Sequence, residues 1–306
     1  MIPHPPADPG EGVSAHGAVS PKRGPVSVLT LIVILAVSLV GGCSTAKPEK
    51  IVSLSPSATE ILFQIGAGDE VVSVDEHSTY PPEVRNRRDS KLSGLNPDLN
   101  QILGYRPSIV ILSERAPASG MNSVGPALTA KGIRVLIEPA PEDVEGVYQQ
   151  IQKIGAETGR EEGAEKLAST MRQRIDEIVR RTTKAATVRS YYHELDNTYY
   201  SATSNTFIGS IYTMFGLRNI ADKFDSEGSG YPKLSVKNVV AANPDIIFLA
   251  DTNCCGQNAA TVAARPGWEK ISAVRNKRIV ALDDDIASRW GPRLVDLVQV
   301  ISQKIR

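Results

Sequence analysis

The chain has no excess of charge of either sign, since its 306 residues include 34 Lys or Arg and 34 Asp or Glu. Removal of residues 1–42 would take away Lys22 and Arg23 together with Asp8 and Glu11, so the balance would not change. Nucleic-acid binding requires a basic excess or a basic stripe. The composition therefore indicates no nucleic-acid partner, although a local charged patch is compatible with it.

The sequence also lacks the common motifs of catalytic sites. It contains neither a Gly-x-Ser-x-Gly elbow nor a phosphate-binding glycine loop. Ser44 to Lys47 match Ser-x-x-Lys, but they have no companion motifs. The aspartates Asp283 to Asp285 suggest either a divalent-cation site or a solvated acidic loop, and we favour the loop. We therefore expect no catalysis and no cofactor, and a cell-surface enzyme stays a less favoured alternative.

Histidine is scarce, with four in the chain, and only His77 and His193 follow residue 42. A receptor for free zinc or manganese needs several imidazole and carboxylate ligands that converge on the ion. The two histidines lie far apart in the sequence and in different predicted lobes. We therefore predict no metal-ligand set, and a free-metal receptor is an alternative function only.

The one long apolar run, residues 26–40, is shorter than the roughly 20 residues of a membrane span. Lys22 and Arg23 precede it and small residues follow it, a pattern typical of an export signal. The ending Leu39-Val-Gly-Gly-Cys43 resembles a bacterial lipobox, in which the cysteine is lipidated and becomes the mature N-terminus. Polar residues after Cys43 would form the tether. A plain signal anchor with an incidental cysteine is the alternative.

Residues 159–184 have the pattern of one long helix, and no proline interrupts it. Acidic residues crowd its start and basic residues its end, which suits the helix dipole. Roughly 23 helical residues would reach about 35 Å, the width of a small domain. The pattern predicts either a surface helix of one large domain or a strut between two lobes. Its apolar stripe, with spacings of three and four, consists of Leu167, Met171, Ile175, Ile178 and Val179.

An internal repeat favours the strut. Residues 100–112 and 237–249 align without a gap, with Pro107 opposite Pro244, and each segment has the pattern of a short helix, a turn and a buried strand. Two further pairs of segments occur in the same order in both halves. Three matches in register predict two related α/β lobes, one on each side of the long helix. The further pairs are 131–137 with 277–282, and 59–66 with 206–216.

The predicted organisation follows from these patterns. Residues 1–20 have no periodicity and are expected to be disordered. The predicted segments are a leader with the signal at 1–42, a tether at 43–50, an N-terminal lobe at 51–140, a helical linker at 141–185 and a C-terminal lobe at 186–306. Polar loops follow the predicted strands in both lobes, for example residues 75–82 and 283–292. Open α/β sheets bind their ligands at the carboxyl ends of strands, so these loops are candidates for a cleft.

Several stretches resemble the periplasmic binding proteins for iron–siderophores and cobalamin. They are Ile51 to Glu60, Tyr80 to Glu83, Gly94 to Pro107 and Asp284 to Arg293. The resemblance covers the chain from about Lys50 onward. It implies two α/β lobes joined by one long backbone helix, with the ligand between them, as in helical-backbone metal receptors. It also implies a monomer that hands a metal chelate to the permease and ATPase of an ABC importer and catalyses nothing.

The resemblance also implies ligand contacts on loops at strand ends. Aromatic faces would hold a flat, bulky chelate while a few polar groups fix its orientation. Arg289 would pair with a carboxylate or catecholate oxygen of the ligand. For each aromatic residue, packing in the core is the alternative. The predicted contacts are His77, Tyr80 and Glu114 in the first lobe and Tyr200, Tyr231, Asp285, Arg289 and Trp290 in the second.

Two departures from the family pattern affect these expectations. The cobalamin-binding member has tryptophans in its pocket where this chain has residues such as Leu92 and Tyr231, which weakens a cobalamin assignment. Relatives carry a permease-docking glutamate in each lobe, whereas this chain has Asn100 and Lys237 there. We therefore expect a divergent permease surface, or docking through a neighbour such as Asp98.

Apart from Cys43, the chain has only the adjacent pair Cys254 and Cys255. Outside the cytoplasm these cysteines should oxidise, and a disulfide between neighbours, which is a strained small ring, is one hypothesis. Free thiols or a bridge to another chain are the alternatives. The pair follows a predicted strand, so it would form a rigid turn facing the ligand. Together the patterns predict a lipid-anchored, extracytoplasmic binding protein that closes only slightly on its ligand, because one helix joins its lobes.

Overall fold

The computed structural model describes residues 49–114, 121–183, 187 and 189–306. The predictions about the leader, the signal and Cys43 lie outside these residues. Within them, no helix combines the length and the apolar character that crossing a membrane requires.

The first half of the chain forms a four-stranded parallel sheet with the strand order β2-β1-β3-β4. The central strands are continuous apolar runs because both faces of the sheet are covered by helices. Thus Ile51 pairs with Ile109, and both are buried. The strands are β1 (Ile51–Leu54), β2 (Val71–Val74), β3 (Ile109–Ser113) and β4 (Arg134–Glu138). The helices are α1 (Pro56–Gln64), α2 (Leu99–Gly104), α3 (Met121–Thr129), α4 (Val144–Thr158) and α5 (Glu161–Thr183).

The second half forms a parallel sheet of the same kind, with the order β6-β5-β7-β8. Its strands are β5 (Ser190–Glu194), β6 (Arg218–Asn219), β7 (Ile246–Leu249) and β8 (Ile279–Ala281). Its helices are α6 (Phe207–Thr213), α7 (Val236–Ala242), α8 (Thr252–Cys255), α9 (Ala259–Ala263), α10 (Ser272–Arg275), α11 (Asp284–Ala287) and α12 (Leu294–Lys304). Short 3-10 turns in the two halves span Gly68–Glu70, Pro82–Asn86, Ala221–Phe224 and Trp268–Lys270.

The predicted repeat is confirmed by the two strand orders, which are the same when β5 to β8 replace β1 to β4. The aligned segments both run from a helix into the third strand of the chain half, α2 into β3 and α7 into β7. Helices α1 and α6 are followed by Gly66 (φ 87°) and Gly216 (φ 71°), whose left-handed conformation ends each helix. The fold is therefore two α/β lobes of one topology.

Strand β5 begins at Ser190. Just before the ladder, the Asp245 carboxylate accepts hydrogen bonds from the backbone amides of Arg189 (3.0 Å) and Ser190 (2.9 Å). The strand then continues through His193 and Glu194, which pair with β7. The structure buries both of these polar residues.

Helix α5 confirms the predicted long helix and its role as a strut. Near its start, the Arg160 Nε donates to the Gly66 carbonyl (3.1 Å) in the first lobe. Gly163 lies against the backbone of Ile65 so closely that a Cβ would overlap it. At the other end, the Thr182 and Ser302 hydroxyls lie 2.7 Å apart, which joins α5 to α12 of the second lobe.

The apolar face of α5 differs in part from the predicted stripe. Met171 and Ile175 are buried as expected, but Ile178 and Val179 are only partly buried. Two alanines, Ala164 and Ala168, fill the rest of the buried face, and their small side chains let neighbouring helices approach closely. Leu167 packs at the edge of this face. Helix α4 is a separate helix that ends at Gly159 (φ 66°) and packs along α5.

Candidate ligand-binding cleft

A cleft with a volume of about 580 Å³ lies where the carboxyl ends of the strands of both sheets meet. Leu54 ends β1, Ser113 ends β3 and Asp75 follows β2, while Cys254 follows β7 and Asp285 follows β8. This is the edge at which parallel sheets bind ligands. The other residues of the lining are Pro56, Ser57, His77, Gly94, Leu95, Glu114, Ser288, Arg289 and Trp290.

A buried polar network supports the first-lobe side of the cleft. The Ser78 hydroxyl donates to Asp75 Oδ1 (2.6 Å) and lies 3.0 Å from the Thr59 hydroxyl, which in turn donates to Ser53 (2.9 Å). Burial raises the pKa of Asp75, and the hydrogen bond from Ser78 opposes that effect. Because its members are hydrogen-bonded to one another, the network holds the loop after β2 in a fixed position.

The structure brings five of the eight predicted ligand contacts into this cleft. His77 and Glu114 come from the first lobe, and Asp285, Arg289 and Trp290 come from the second. The His77 side chain is 59% exposed, which leaves its imidazole accessible from the cleft. Direct contact of these residues with a ligand stays a prediction.

The three predicted tyrosines lie outside this cleft. Tyr80 stacks under the guanidinium of Arg293, with 4.5 Å from Cζ to the ring centroid, and lines a smaller pocket beside α5. Tyr200 is exposed, and the Lys233 ammonium lies 5.4 Å from its ring centroid. Tyr231 is exposed and lines a different pocket of about 230 Å³.

An aromatic pair connects the cleft with the Tyr231 pocket. The indole of Trp290 and the ring of Phe207 meet edge to face, with centroids 6.3 Å apart. Trp290 lines the cleft, whereas Phe207 and Tyr231 line the smaller pocket. The two pockets are therefore neighbours, with lining residues that touch at this aromatic pair.

Arg289 is engaged by the protein itself. Its guanidinium contacts the Glu60 carboxylate (3.2 Å) and the Asp285 carboxylate (2.9 Å), and donates to the His77 carbonyl (2.8 Å). The side chain is only 10% exposed. A ligand carboxylate or catecholate that paired with Arg289 would therefore compete with these partners.

Glu60 is a central residue that the sequence did not reveal. It lies on the buried face of α1 and accepts from Arg293 (3.0 and 2.6 Å) in addition to Arg289. A further bond between the lobes joins the Thr79 hydroxyl to Asp285 (2.9 Å). The only signal for Glu60 was a single charged residue within an otherwise uncharged helix pattern. Its partners stand 229 and 233 positions away and gave no local indication.

The two remaining cysteines are joined by a disulfide between neighbours. They end α8, and Gly256 follows in the left-handed conformation (φ 64°). The Asp284 carboxylate accepts hydrogen bonds from the Thr252 hydroxyl (2.7 Å) and from the backbone amide of Cys254 (3.0 Å). Burial alone would raise the pKa of Asp284, but these hydrogen bonds outweigh it and hold the pKa below its usual range.

The two histidines of the described residues lie in different lobes. His193 is buried in the second lobe, where its Nδ1 lies 2.9 Å from the Tyr212 hydroxyl. Burial lowers the pKa of His193 to about 4, so its imidazole is neutral near pH 7. In the part of the chain that the structure describes, no three His, Cys, Asp or Glu side chains come together to hold a metal ion. A metal ion in the cleft could therefore be bound by His77 but not by His193.

A second buried charged group lies behind the cleft. Arg265 makes two hydrogen bonds of 2.6 Å to the Glu194 carboxylate, and both side chains are almost fully buried. Asp251 lies nearby and is fully buried, and neither of its carboxylate oxygens has a hydrogen-bond partner among the described residues. Burial, together with the charge of Glu194, raises the pKa of Asp251 to about 7.

The predicted docking residues are on the outer helices. Asp98 caps α2 by accepting from the Gln101 amide (2.9 Å), and Asn100 is exposed on the same helix. Lys237 is exposed on α7, the equivalent helix of the second lobe. Their contact with a permease stays a prediction.

Comparison with known proteins gives a consistent result. The family described as "Periplasmic binding protein" matches residues 51–286. The Bacillus subtilis protein named uncharacterized ABC transporter substrate-binding lipoprotein YvrC is 30% identical over 266 residues, which cover 85% of this chain and 80% of that protein. A cobalamin-binding protein of Halobacterium salinarum is 30% identical over 258 residues, which cover 82% of this chain and 68% of that protein.

The solved structures include a protein from Staphylococcus epidermidis described as a possible iron-binding, periplasmic solute-binding protein. It superposes with a TM-score of 0.72 at 26% identity and covers 85% of this chain and 99% of its own. The similarity therefore extends over both lobes.

Proposed function

The chain belongs to the periplasmic binding protein family, and on that premise we propose that it captures a neutral or cationic metal chelate and delivers it to the permease of an ABC importer. A protein of this family binds a ligand for transport and catalyses no reaction on it. The observation that carries the proposal is the cleft between the lobes, where Trp290 and Leu95 offer apolar contact surface.

The charges of the cleft define the class of chelate. Arg289 is the single guanidinium of the described lining, and Glu60 and Asp285 already neutralise it. Glu114 has no ion pair among the described residues and adds a negative charge to the lining. An anionic group of the ligand about 6 Å from the Glu114 carboxylate would be repelled by roughly 3 kcal/mol at an effective dielectric constant near 20. A highly anionic ferric catecholate is therefore disfavoured relative to a neutral or cationic chelate.

Cobalamin is the first neutral chelate to test. The name of the Halobacterium salinarum relative gives cobalamin as its ligand. A corrinoid is flat and bulky, and Trp290, Phe207 and Tyr231 provide a row of aromatic edges along one side of the combined pockets. Cationic ferric hydroxamates are the second group, since they meet the same charge requirement.

The remaining parts of the proposal concern the membrane and the partners. Lipidation at Cys43 would hold the mature protein on the outer face of the membrane, and the word lipoprotein in the name of the Bacillus subtilis relative supports it. We propose a monomer that presents α2 and α7 to the permease. Metabolic labelling with a radioactive fatty acid tests the anchor: Cys43→Ala should abolish the label, and retention of the label would contradict lipidation at this residue.

The function is tested by titrating residues 47–306, which form one compact unit, with several chelates. The chain has two tryptophans: Trp268 is fully buried, and Trp290 lines the cleft. A bound chelate should therefore quench Trp290 more strongly than Trp268. The panel consists of cyanocobalamin, haem, a cationic ferric hydroxamate and an anionic ferric catecholate.

We expect saturable binding of a neutral or cationic chelate. Because chelates absorb light, calorimetry should give the same dissociation constant as fluorescence. Trp290→Phe should remove most of the quenching while it keeps measurable binding heat. Tight binding of the catecholate alone would contradict the charge argument, and no binding by any chelate to a folded protein would contradict the proposed function.

A further inference from the structure

The disulfide between Cys254 and Cys255 lies at the wall of the cleft. Cys254 lines the cleft from the second lobe, whereas Leu95 and Glu114 line it from the first. Both cysteines are exposed, so the sulfur atoms are accessible from solvent. No other cysteine is present in the described ranges. The pair therefore combines a position in the binding site with accessibility to a redox reagent.

The start of this turn is anchored independently of the disulfide. The Asp284 carboxylate accepts hydrogen bonds from the backbone amides of Thr252 (3.0 Å), Asn253 (2.8 Å) and Cys254 (3.0 Å). Asp284 belongs to α11, whose next residue, Asp285, also lines the cleft. Breakage of the disulfide would therefore leave the beginning of α8 in place and release mainly the two cysteine side chains.

The two redox states offer a ligand different surfaces. As a disulfide, the sulfurs form one apolar, polarisable surface with a single arrangement. As thiols, they are two separate side chains with weak hydrogen-bond donors and their own rotamers. A ligand that packs against the reduced pair must immobilise both side chains, which costs affinity.

We propose, on the basis of the function proposed above, that the Cys254–Cys255 disulfide is a redox-controlled contact site for the chelate. The oxidised pair packs against the bound chelate, and its reduction by a dithiol weakens binding. In that reaction the Sγ–Sγ bond breaks, each sulfur gains one electron and one proton, and the dithiol becomes a cyclic disulfide. An extracytoplasmic dithiol of suitable potential would thereby favour release of the chelate.

The test uses residues 47–306, which lack Cys43, so that only this pair responds. The protein is titrated calorimetrically with cyanocobalamin and with the cationic ferric hydroxamate, first oxidised and then after treatment with dithiothreitol and anaerobic desalting. Intact mass reports the redox state, since reduction adds two hydrogen atoms. We expect the dissociation constant to rise about three- to tenfold on reduction and to recover on reoxidation.

A variant with Cys254→Ser and Cys255→Ser serves as the matched control, because it approximates the reduced pair and cannot be oxidised. Its affinity should equal that of the reduced protein and should not respond to dithiothreitol. Chemical reduction of the unmodified chain gives an answer even if the variant does not fold.

The outcomes separate this inference from the proposed function. Equal affinity in both redox states overturns the inference alone, and so does a mass that does not change with dithiothreitol. Tighter binding after reduction also overturns it, since that result would indicate thiolate contact with the metal of the chelate. Failure of the oxidised protein to bind any chelate overturns the proposed function and the inference together.

Discussion

Glu60 on α1 of the first lobe and Arg289 between α11 and α12 of the second lobe are joined by a buried ion pair of 3.2 Å. Arg293 contacts the same carboxylate at 2.6 Å, so one acidic side chain of the first lobe binds two basic side chains of the second. The pair is at the base of the cleft, since Arg289 also lines it. A ligand that contacts Arg289 would therefore affect the contact that fixes the relative position of the lobes.

Glu60→Gln should destabilise the protein by about 3 kcal/mol, because it leaves the Arg293 guanidinium without its carboxylate partner and Arg289 with the Asp285 carboxylate alone. Urea unfolding followed by circular dichroism measures the loss. Glu177→Gln is the matched control: Glu177 pairs with Arg181 on the exposed face of α5, and such pairs contribute less than about 0.5 kcal/mol. Equal effects of the two substitutions would contradict the structural role of Glu60.

Closure on ligand binding should be small. Helix α5 contacts both lobes, and Glu60 and Thr79 bond across the base of the cleft, so a wide hinge motion would break these contacts. Small-angle X-ray scattering of residues 47–306 should show a radius of gyration that changes by less than about 1 Å when the chelate is added. A larger compaction would show that α5 does not act as a strut.

Gly163→Ala should destabilise the contact between α5 and the first lobe. A Cβ at this position would overlap the Ile65 carbonyl group, which belongs to the backbone and cannot move away cheaply. We expect a loss of about 1–3 kcal/mol, as is typical of overpacking. Gly104→Ala is the control, because a Cβ on Gly104 meets no atom within 4 Å. Thermal unfolding of both variants measures the difference. Equal melting temperatures would contradict the close contact between Gly163 and the backbone of Ile65.

Asp251 should make stability fall as pH rises. Burial and the charge of Glu194 raise its pKa to about 7, whereas an unfolded aspartate titrates near pH 4. Between these pH values the folded state binds the proton and the unfolded state does not. The free energy of unfolding therefore falls by at most about 1.4 kcal/mol per pH unit. Arg265, which pairs with Glu194, opposes the shift. The measurement is the free energy of unfolding at several pH values from about 4.5 to 7.5. In Asp251→Asn the decrease with pH that comes from Asp251 should be absent.

His193 gives the opposite slope and a matched control. Its pKa is lowered to about 4, so below about pH 6.5 the unfolded state binds a proton that the folded state does not. Stability from this residue is therefore lost as pH falls. His193→Asn should abolish this loss of stability at low pH. Asp251→Asn should make the same loss easier to see, because the opposing contribution of Asp251 is then absent. Identical pH profiles for the wild type and both variants would contradict the burial of these two groups.

Lys237→Glu tests the permease surface. Family resemblance implies a glutamate at this position on α7, and a lysine would repel the arginine that it is expected to meet. If Lys237 takes part in docking, uptake of the chelate by cells should change at least twofold, whereas Lys270→Glu, on another exposed segment, should leave uptake unchanged. Unchanged transport by the α7 variant would remove Lys237 from the docking surface.

The fold was largely predictable because its main signals are local. The aligned segments 100–112 and 237–249 gave the buried strands β3 and β7, and the absence of proline with clustered end charges gave α5. The repeat gave the two lobes. Short elements such as β6, with two residues, and the single-turn helices α8 and α10 have too few residues for a periodic pattern.

The site was less predictable because its contacts are not local. Five predicted residues share the cleft, but the sequence could not show that Arg289 is paired within the protein, since Glu60 is 229 positions away. Tyr80 occupies a pocket beside α5 because Arg293, another distant residue, stacks on its ring. Contacts between residues far apart in the sequence thus determine the partners of these side chains, and local sequence patterns do not reveal such contacts.

The single passage of the chain from one sheet to the other has a consequence for biogenesis. The first sheet is complete at Glu138 and the second begins at Ser190, so neither sheet borrows a strand from the other half. A chain exported from its N-terminal end can therefore build the first lobe before the second has crossed the membrane. The docking of α12 onto α5, through Ser302 and Thr182, then becomes a late step that joins two preformed halves.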